Sequence, residues 1–425
     1  MSREGKNRKG GVGRKLLYIF TSLLGVAVIL ASVAYGGFYH YYSKMNIVDV
    51  DENGYGYVSD DDINSSEASD TESQEEQVNP WDLPYGEVEY EYDFNDPDIT
   101  NIMIIGTDSR KKGLWRTATD TMILVSINKK TQKVFMTSFM RDIQVFIKKG
   151  GNHREAGNDK LNAAYAYGDS KMMFETFEEN FGIKIDKFVH LDFYSFVTLV
   201  DAIGGVDMYV TSKEIKYMNT VYLYEINKTL YHRPRGTDYL PYKTGKFHLN
   251  GKQALAYTRV RYVGGDYERT ERQRKVLEEI IKKVKEMSPS KLNKFAERAL
   301  KCVSTNLSQT EVMSLVMDAP ECLSYETIST RIPVDKTYTS KKIKGTYFLI
   351  IDLKKNADYW YSLVYYDKDI SKEIVQKIKD EKAEAKAKKE AEKAAAEADT
   401  ATSTDAASPG GDNTSSTSSA TSSAA

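Results

Sequence analysis

An uncharged apolar stretch near the N-terminus constrains this chain more than any other feature. No charged residue occurs from Leu16 to Tyr42, and Leu16–Phe38 is strongly apolar. About 20 apolar residues suffice for a helix to cross a bilayer, so we predict a single-pass transmembrane anchor over residues 16–38. Residues 1–15 carry six basic side chains and one acid. The positive-inside rule therefore predicts a cytoplasmic basic tail and an extracytoplasmic chain beyond residue 44.

A cleaved signal peptide is the alternative to the anchor, because Ser32-Val33-Ala34 resembles a small-residue cleavage site. Both interpretations put the folded part of the chain outside the cytoplasm, where ATP-driven chemistry is not expected. Two cysteines in 425 residues exclude a disulfide scaffold. Whether Cys302 and Cys322 pair is left open.

Charge is strongly segregated along the chain, although the net charge is only −2. Residues 45–98 form a predicted acidic spacer, and residues 45–109 carry 19 acids and no Lys or Arg. Residues 110–366 carry 43 basic and 29 acidic side chains, a net of +14, which favours an anionic ligand or surface. Residues 367–398 are rich in Lys, Glu and Ala and predict a solvated helix or disordered stalk, and residues 399–425 a disordered tail.

Short apolar runs alternate with amphipathic segments between residues 99 and 366. This mixed order predicts one α/β (α+β sandwich) domain with a mixed central sheet flanked by helices. The segment 211–244 shows no clear period and is interpreted as a surface loop or insertion. The predicted strands are 101–105, 121–127, 134–139, 188–191, 206–210 and 254–262, with 326–351 strand-rich, and the predicted helices are 161–181, 194–203, 268–287, 290–301 and 309–318.

The candidate anion site lies around residue 260. In a strand, Arg259 and Arg261 point to the same face, where two cations repel unless they are solvated or share an anion. A solvated strand face is the alternative. The helix that follows adds N–H donors and partial positive charge at its start. We therefore predict a phosphate-sized binding site that also includes Asp266 as a helix cap and, on one side of the helix, Arg269, Arg272 and Gln273.

A second candidate cluster lies at the ends of the early strands. Asp108 and Arg110 follow the first buried strand, Asp120 opens the next, and Arg141 closes the third. Carboxylate oxygens suit Mg²⁺, which commonly binds one or two carboxylates together with phosphate oxygens. Asp108 and Asp120 are therefore the candidate metal ligands, and a role as turn or cap residues is the alternative for each.

Several other chemistries find no motif in the sequence. Gly245-Lys246 lacks the remainder of a phosphate-binding loop, and the five histidines have no zinc-site spacing. No Gly-x-Ser-x-Gly segment supports a serine hydrolase. Nucleic acid is not expected as a partner of an extracytoplasmic domain.

An ordered set of motifs links these candidate residues. They are Asn101–Arg110, Asp120–Asp142, Lys160–Tyr165, Asp192–Asp207, Leu249–Arg261 and Asp266–Gln273. The set resembles the LytR-CpsA-Psr (LCP) family over about residues 99–287. The N-terminal anchor resembles the usual layout of that family as well.

The resemblance implies a wall ligase on the outer face of the membrane of a mainly Gram-positive group. Such enzymes take a glycopolymer (teichoic acid, capsular or another wall polysaccharide) from a polyprenyl-pyrophosphate carrier. They attach it to peptidoglycan as a phosphodiester, typically at the C6 hydroxyl of N-acetylmuramic acid, and release polyprenyl phosphate. The family fold has an apolar cleft for the polyprenyl tail. Phe193–Val200 and the segment 161–181 are the candidates to line it, and an ordinary core is the alternative for both.

The family's functional positions fall on the candidate residues of this chain. Asp108 and Asp120 match its magnesium-side aspartates, with Mn²⁺ as the alternative ion. One position departs from the pattern, because Ala118 stands where many members have an arginine, and Arg116 is the nearest substitute. The resemblance implies pyrophosphate binding by Arg141, Arg259, Arg261, Arg269, Arg272 and Gln273, to which the local sequence adds Arg110.

Three activities remain compatible with these residues. The first is the phosphotransferase, in which Asp120 or Asp266 accepts the proton of the attacking hydroxyl. The second is a hydrolase that uses the same site with water as the acceptor. The third is a non-enzymatic, membrane-anchored sensor of lipid-linked glycan.

Overall fold

The computed structural model describes residues 37–40, 42–47, 90–108, 117–153, 155–185 and 187–404. The predicted anchor lies outside these residues except for its last two positions, and so does most of the acidic spacer. Within the described ranges no helix combines the length and apolarity that crossing a bilayer requires. Contacts divide the chain into two units, Met1–Ile370 and Ser371–Ala425.

A seven-stranded mixed sheet forms the centre of the first unit, which confirms the predicted fold class. Its strands are β1 Asn46–Ile47, β2 Ile99–Thr107, β3 Thr119–Asn128, β4 Lys133–Phe139, β7 Phe188–Leu191, β10 Ser304–Thr305 and β11 Glu326–Ile332. They lie in the order β1-β10-β7-β2-β3-β4-β11. The pairs β2–β3 and β3–β4 are antiparallel, whereas β2–β7 and β4–β11 are parallel.

Three two-stranded sheets complete the strands of the described chain. They are β5 Gln144–Ile147 with β6 Gly157–Lys160, β8 Val206–Val210 with β9 Gly245–Leu249, and β12 Tyr338–Ile343 with β13 Thr346–Ile351. The predicted strands at 188–191 and 206–210 are confirmed to the residue. The strand-rich segment 326–351 is also confirmed.

Helices flank the central sheet, and most of them lie where the sequence predicts. Their bounds are α1 Ala163–Phe181, α2 Phe193–Ala202, α3 Ser212–Tyr217, α4 Gly251–Arg259, α5 Gly265–Lys285, α6 Pro289–Ala299, α7 Gln309–Cys322 and α8 Leu353–Tyr366. Both cysteines are thiols. Cys302 ends the short turn after α6, and Cys322 ends α7.

The register of the sheet assigns its residues to two faces. Ile104 pairs with both Ile123 and Val189, and because side chains alternate along a strand, these three lie on the same face. Phe139 lies on the opposite face, where its ring meets that of Phe177 of α1 at a centroid distance of 4.8 Å. Helix α1 therefore covers the face that Ile104 does not occupy.

The predicted strand at 254–262 is wrong, because residues 251–259 form helix α4. The signal for this helix is a capping box. The Asn250 side chain accepts a hydrogen bond from the Gln253 backbone N–H, and the Gln253 side chain reaches back to the N–H of Asn250. Arg259 consequently ends a helix, and the argument that Arg259 and Arg261 share a strand face does not hold.

The segment 211–244, predicted to be a surface loop or insertion, is helical over residues 212–230 and irregular and mostly exposed over residues 231–244. Helix α3 continues into two π-helical stretches, Met218–Leu223 and Ile226–Leu230. Its apolar residues recur every three to five positions and are buried in one core cluster with α2, α4 and α5; they include Ile215, Met218, Leu223 and Ile226. The many Tyr, Lys and Arg residues between them obscure this helical period in the sequence.

The second unit is described only as helix α9, Ser371–Thr404. Residues 371–398 of the segment predicted as a solvated helix or a disordered stalk are therefore helical. Residues 399–404 continue the helix, contrary to the predicted disorder there, and residues 405–425 lie outside the described part.

Candidate active site

Five elements converge on the candidate site. Asp108 directly follows β2, and Asp120 is the second residue of the neighbouring antiparallel strand β3. Arg141 follows β4 after one residue, and Arg259 ends α4. Gly264, with a φ of 75°, allows the turn into α5 that brings Arg261 beside the strand ends.

Asp120 is the centre of the arginine cluster. Its Oδ1 accepts hydrogen bonds from Arg141 Nη1 at 2.8 Å and Arg261 Nη2 at 2.9 Å. Its backbone carbonyl accepts a third, from Arg269 Nη1 at 2.7 Å. Burial alone would raise the pKa of Asp120, but the charges of Arg269, Arg261 and Arg141 outweigh it and hold that pKa below its ordinary value.

Asp266 is the second acid of the cluster. Arg269, only 1% exposed, donates to both of its oxygens, from Nε at 2.6 Å and from Nη2 at 3.1 Å. Arg141 Nε lies 3.7 Å from the same carboxylate. Burial opposes ionisation of Asp266, but Arg269 and Arg141 keep its pKa below the ordinary value. The predicted helix-cap residue is therefore an ion-pair partner that fixes Arg269.

Positive charge is crowded at the solvent side of this cluster. The Arg261 side chain remains 39% exposed. Burial, followed by the nearby cations Arg269 and Arg141, lowers the pKa of its guanidinium group. An anion placed here would relieve this repulsion, which is what a pyrophosphate-binding site requires.

Arg259 belongs to a separate part of the site. Its Nη2 lies 3.5 Å from Asp108 Oδ2, and its Nη1 lies 3.2 Å from Glu225 Oε2. The guanidinium also stacks over the rings of Phe193, at 4.6 Å, and Tyr222, at 5.4 Å. Sequence reasoning missed Glu225 and Tyr222 because both lie in the segment interpreted as a loop.

An apolar cavity of about 260 Å³ opens at the arginines. Its floor is the face of the sheet that contains Ile104, Ile123 and Val189. Helices α2, α4 and α5 cover it, and the charged residues Asp120, Arg259 and Arg269 also line it. The cavity has the composition expected of a site for a long apolar chain with an anionic head.

The two predicted lipid-cleft segments have different outcomes. Phe193, Phe196 and Leu199 line the cavity, in agreement with the prediction for Phe193–Val200. The segment 161–181 does not line it, because α1 packs on the opposite face of the sheet, where Phe177 and Phe181 meet Phe139. Apolarity alone does not distinguish a cavity wall from an ordinary core.

The remaining predicted residues fall in three places. Gln273 lines the cavity. Arg272 does not join the cluster, because it is buried against Glu214 at 2.7 Å and donates to the carbonyls of Val260 and Val263. Its donors stabilise the turn between α4 and α5 in place of the anion contact predicted for it. Arg110 and Arg116 lie outside the described residues.

The acids at the strand ends supply carboxylates, the kind of ligand that a divalent cation such as Mg²⁺ binds. Thr107 of β2 pairs with Thr119 of the antiparallel strand β3, and Asp108 and Asp120 each lie one residue from this pair. Within the described ranges no group of three or more acidic, His or Cys side chains forms a metal cage. Two carboxylates suffice for Mg²⁺ only when phosphate oxygens and water complete its shell. The site therefore fits a cation that arrives with a phosphate-bearing substrate.

Comparison with known proteins gives a consistent picture. The profile of the LytR_cpsA_psr family matches residues 55–364. "Biofilm regulatory protein A" of Streptococcus mutans is 35% identical over 53% of this chain and 53% of its own length. The polyisoprenyl-teichoic acid–peptidoglycan teichoic acid transferases TagU of Enterococcus faecalis and TagV of Bacillus subtilis are each 30% identical, over 53% and 51% of this chain.

The matches do not span all of these relatives. They cover 67% of the E. faecalis protein but only about half of the S. mutans and B. subtilis proteins, at 53% and 51%. Among solved structures, "TagT bound to LI-WTA" has a TM-score of 0.50 and 25% identity, over 66% of this chain and 95% of that one. A Streptococcus agalactiae protein also has a TM-score of 0.50, with 29% identity, over 63% and 86%.

Proposed function

This chain belongs to the LytR_cpsA_psr family, and from that premise we propose that it transfers a glycopolymer from a polyprenyl-pyrophosphate carrier to peptidoglycan. The product is a phosphodiester between glycopolymer and peptidoglycan, and polyprenyl phosphate is released. Relatives named as teichoic acid transferases support this class of substrate. The glycopolymer itself is a teichoic acid, a capsular polysaccharide or another wall polysaccharide.

The observation that carries the proposal is the arginine cluster at the opening of the apolar cavity. Arg141, Arg261 and Arg269 surround Asp120, which itself lines the cavity. A polyprenyl pyrophosphate has this same division into an apolar tail and an anionic head. We infer that the tail enters the cavity and that the head binds the guanidinium groups.

The reaction needs no protein nucleophile. A peptidoglycan hydroxyl attacks the phosphorus that bears the glycopolymer, the bond from that phosphorus to the polyprenyl phosphate oxygen breaks, and polyprenyl phosphate leaves with the bonding electrons. Phosphoryl transfer of this kind depends on positioning and charge stabilisation. Arg141 and Arg261 would stabilise the charge on the transferring and leaving oxygens, while Arg269 holds Asp120 and Asp266 in position.

Asp120 is the better candidate of the two acids for accepting the hydroxyl proton, because it lines the cavity. Its pKa is held low by three arginines, which makes it a weak base in the free protein. Asp120 is also one of the two proposed cation ligands, and a bound cation would hold its pKa low as well. Its candidacy as the proton acceptor therefore rests on its position at the cavity.

Asp108 and Asp120 would hold Mg²⁺, or Mn²⁺ in its place, together with the pyrophosphate oxygens. The cation supplies charge neutralisation of the pyrophosphate. Arg259 would then turn from Asp108 toward the substrate while Glu225 keeps its other nitrogen in place.

The proposed location is the outer face of the cell membrane. The uncharged stretch from Leu16 and the basic residues before it support a single-pass anchor with a cytoplasmic N-terminus. The carrier lipid and peptidoglycan are both accessible from that side.

Reconstitution tests the proposal. The full chain in detergent is incubated with Mg²⁺, a lipid-pyrophosphate-linked glycan and peptidoglycan oligomers, and the products are analysed by mass spectrometry. We expect a phosphodiester-linked glycan–peptidoglycan product that disappears with EDTA and in Asp108→Ala. Free phosphorylated glycan as the only product would instead establish the hydrolase, and tight lipid binding without turnover would establish the sensor.

A further inference from the structure

A second groove lies on the other side of helix α5 from the apolar cavity. It has a volume of about 360 Å³ and is lined by Glu278, Ile281, Lys282, Lys285, Thr327 and Ser329. Helix α5 forms one wall and strand β11, at the edge of the central sheet, forms the other. Its polar lining distinguishes it from the cavity on the opposite side of the helix.

Two arginines extend the rows of side chains that line this groove. Arg274 precedes Glu278 by four residues on the helix, and Arg331 follows Ser329 by two residues on the strand, so each shares the face of its neighbour. Arg331 pairs with Ser138 of β4, close to Arg141 in sequence. The arginine pair therefore marks the end of the groove that lies toward the active site.

Arg274 is buried and forms no salt bridge within the described part of the chain. It is 7% exposed, and its Nη1 meets no hydrogen-bond acceptor in the described part of the chain. Glu271 and Glu278 of the same helix act on Arg274 through their charge, but their contacts are with other groups, Glu271 with Lys275 and Glu278 with the Ser329 hydroxyl. Burying a charged group in this way is costly unless something else pairs with it.

Arg331 contributes a second unsatisfied donor. Its guanidinium stacks on the ring of Tyr267, 3.9 Å away, and its Nη2 pairs with the exposed Asp335. Its Nε is buried and meets no acceptor among the residues described. Burial and then the charge of Arg331 lower the pKa of Arg274, while the charges of Glu271 and Glu278 oppose this shift. A carboxylate or phosphate between them would satisfy both donors.

We propose that Arg274 and Arg331 form an anion subsite for the acceptor, which binds a carboxylate on the peptide stem of the peptidoglycan strand. This inference rests on the proposed function. The donor's tail and leaving group lie on the cavity side of α5. The attacking and leaving oxygens of a phosphoryl transfer are roughly in line, so the acceptor approaches from the opposite side, where the groove lies.

The spacing suits a stem peptide. Arg274 lies five residues beyond Arg269 on α5, a rise of about 7.5 Å along the helix. An extended peptide covers that distance in about two to three residues at roughly 3.3 Å each. A guanidinium pair is also the arrangement that recognises a planar carboxylate. The subsite thus recognises the stem peptide next to the sugar whose hydroxyl reacts.

Equilibrium binding to the full chain in detergent tests the subsite without requiring turnover. The probe is a fluorescent peptidoglycan oligomer with its stem peptides, compared with the same glycan after the stems are removed. In Arg274→Gln and in Arg331→Gln, we expect the stem-bearing oligomer to bind at least about 10-fold more weakly, as expected for a lost charge-assisted hydrogen bond. The stemless glycan should bind wild type and variants equally, and Arg298→Gln, which removes an exposed arginine from α6, should bind both probes as wild type does.

Two further measurements keep the result interpretable. The melting temperature of Arg274→Gln should be no lower than that of wild type, because the substitution removes a buried cation that has no salt bridge. If Arg274→Gln does not fold, Arg331→Gln, at a more exposed position, provides the test. Affinity for the lipid-pyrophosphate glycan should be unchanged in both variants. Equal oligomer binding by wild type and variants, including no binding by either, overturns the proposal. Loss of donor binding alone also overturns it and assigns the pair to the donor's phosphates. A chain that binds the oligomer through these arginines but does not transfer would refute only the proposed function.

Discussion

Replacement of Arg141 by alanine separates the catalytic from the structural role of the arginine cluster. Arg141 lies within 4 Å of three acids, at 2.8 Å from Asp120, 3.5 Å from Asp142 and 3.7 Å from Asp266. Each acid keeps another cation in Arg141→Ala. Those cations are Arg261 for Asp120, Lys160 for Asp142 at 2.7 Å, and Arg269 for Asp266.

The expected stability loss is therefore smaller than for a buried pair whose partner is left alone, which costs about 3–5 kcal/mol. We expect the free energy of unfolding to fall by about 1.5–3 kcal/mol, the contribution of a hydrogen bond to a charged group. The transfer rate should fall much further. A unit charge about 4 Å from a phosphate oxygen is worth about 4 kcal/mol at an effective dielectric constant of 20. Loss of one preorganised donor to a developing oxyanion costs about 10²–10³-fold.

The assay measures the rate of linked product at saturating donor and acceptor, alongside urea unfolding of the same preparations. Arg141→Lys retains the charge and should recover part of the rate, while Arg298→Ala is the control for loss of an exposed arginine. A rate for Arg141→Ala within twofold of wild type would refute the assignment of Arg141 to the pyrophosphate. A rate loss that matches the unfolded fraction would refute it as well.

Four other outcomes follow from the same geometry. Arg269→Gln should destabilise the fold by about 3 kcal/mol in urea unfolding, because it leaves the buried Asp266 carboxylate and the Asp120 carbonyl without their donor. The pKa values of Asp120 and Asp266 are lowered in the folded protein, so their ionised forms stabilise the fold above about pH 4, the ordinary pKa of an Asp carboxyl. This stability is lost as the pH falls through the pKa values that the two groups have in the folded protein. Asp120→Asn should therefore show a shallower fall in melting temperature on acidification. Leu199→Trp should fill part of the cavity and raise KM for long-chain donors more than 10-fold, the loss expected if about two methylenes of the tail are no longer buried. KM for a donor with only two isoprene units should not change. EDTA should reduce the transfer rate at least about 100-fold, and Mg²⁺ or Mn²⁺ should restore it; a rate that is insensitive to EDTA would contradict the assignment of Asp108 and Asp120 as metal ligands.

The strands and long helices were predictable because their local patterns and their packing agree. Residues Val206–Val210 alternate between buried and exposed side chains, and the structure has a strand with these bounds. The segment 254–262 was predicted wrongly because Ala254–Tyr257 and Val260 are all buried, and a buried helix and a buried strand look alike by periodicity. The capping box at Asn250 and Gln253 was the sequence signal that decides for the helix.

The charged centre of the site was predictable for a different reason. Asp120 and Arg141 lie at strand ends, where the topology of a mixed sheet brings them to one edge. Glu225 was not predictable, since its contact with Arg259 depends on how a helical segment packs more than thirty positions away in sequence. The role of Arg272 was also not predictable from the sequence. Its position on the helix resembled that of Arg269, but Glu214 neutralises it within the core.

Transfer in H₂¹⁸O tests the central claim most directly. The full chain, Mg²⁺, the lipid-linked glycan and peptidoglycan oligomers are combined in labelled water, and the mass of each phosphorylated product is measured. If a peptidoglycan hydroxyl attacks the phosphorus, the phosphodiester product forms without ¹⁸O and polyprenyl phosphate is released unlabelled. A phosphorylated glycan that carries one ¹⁸O, with no linked product, would show that water is the acceptor and would contradict the account.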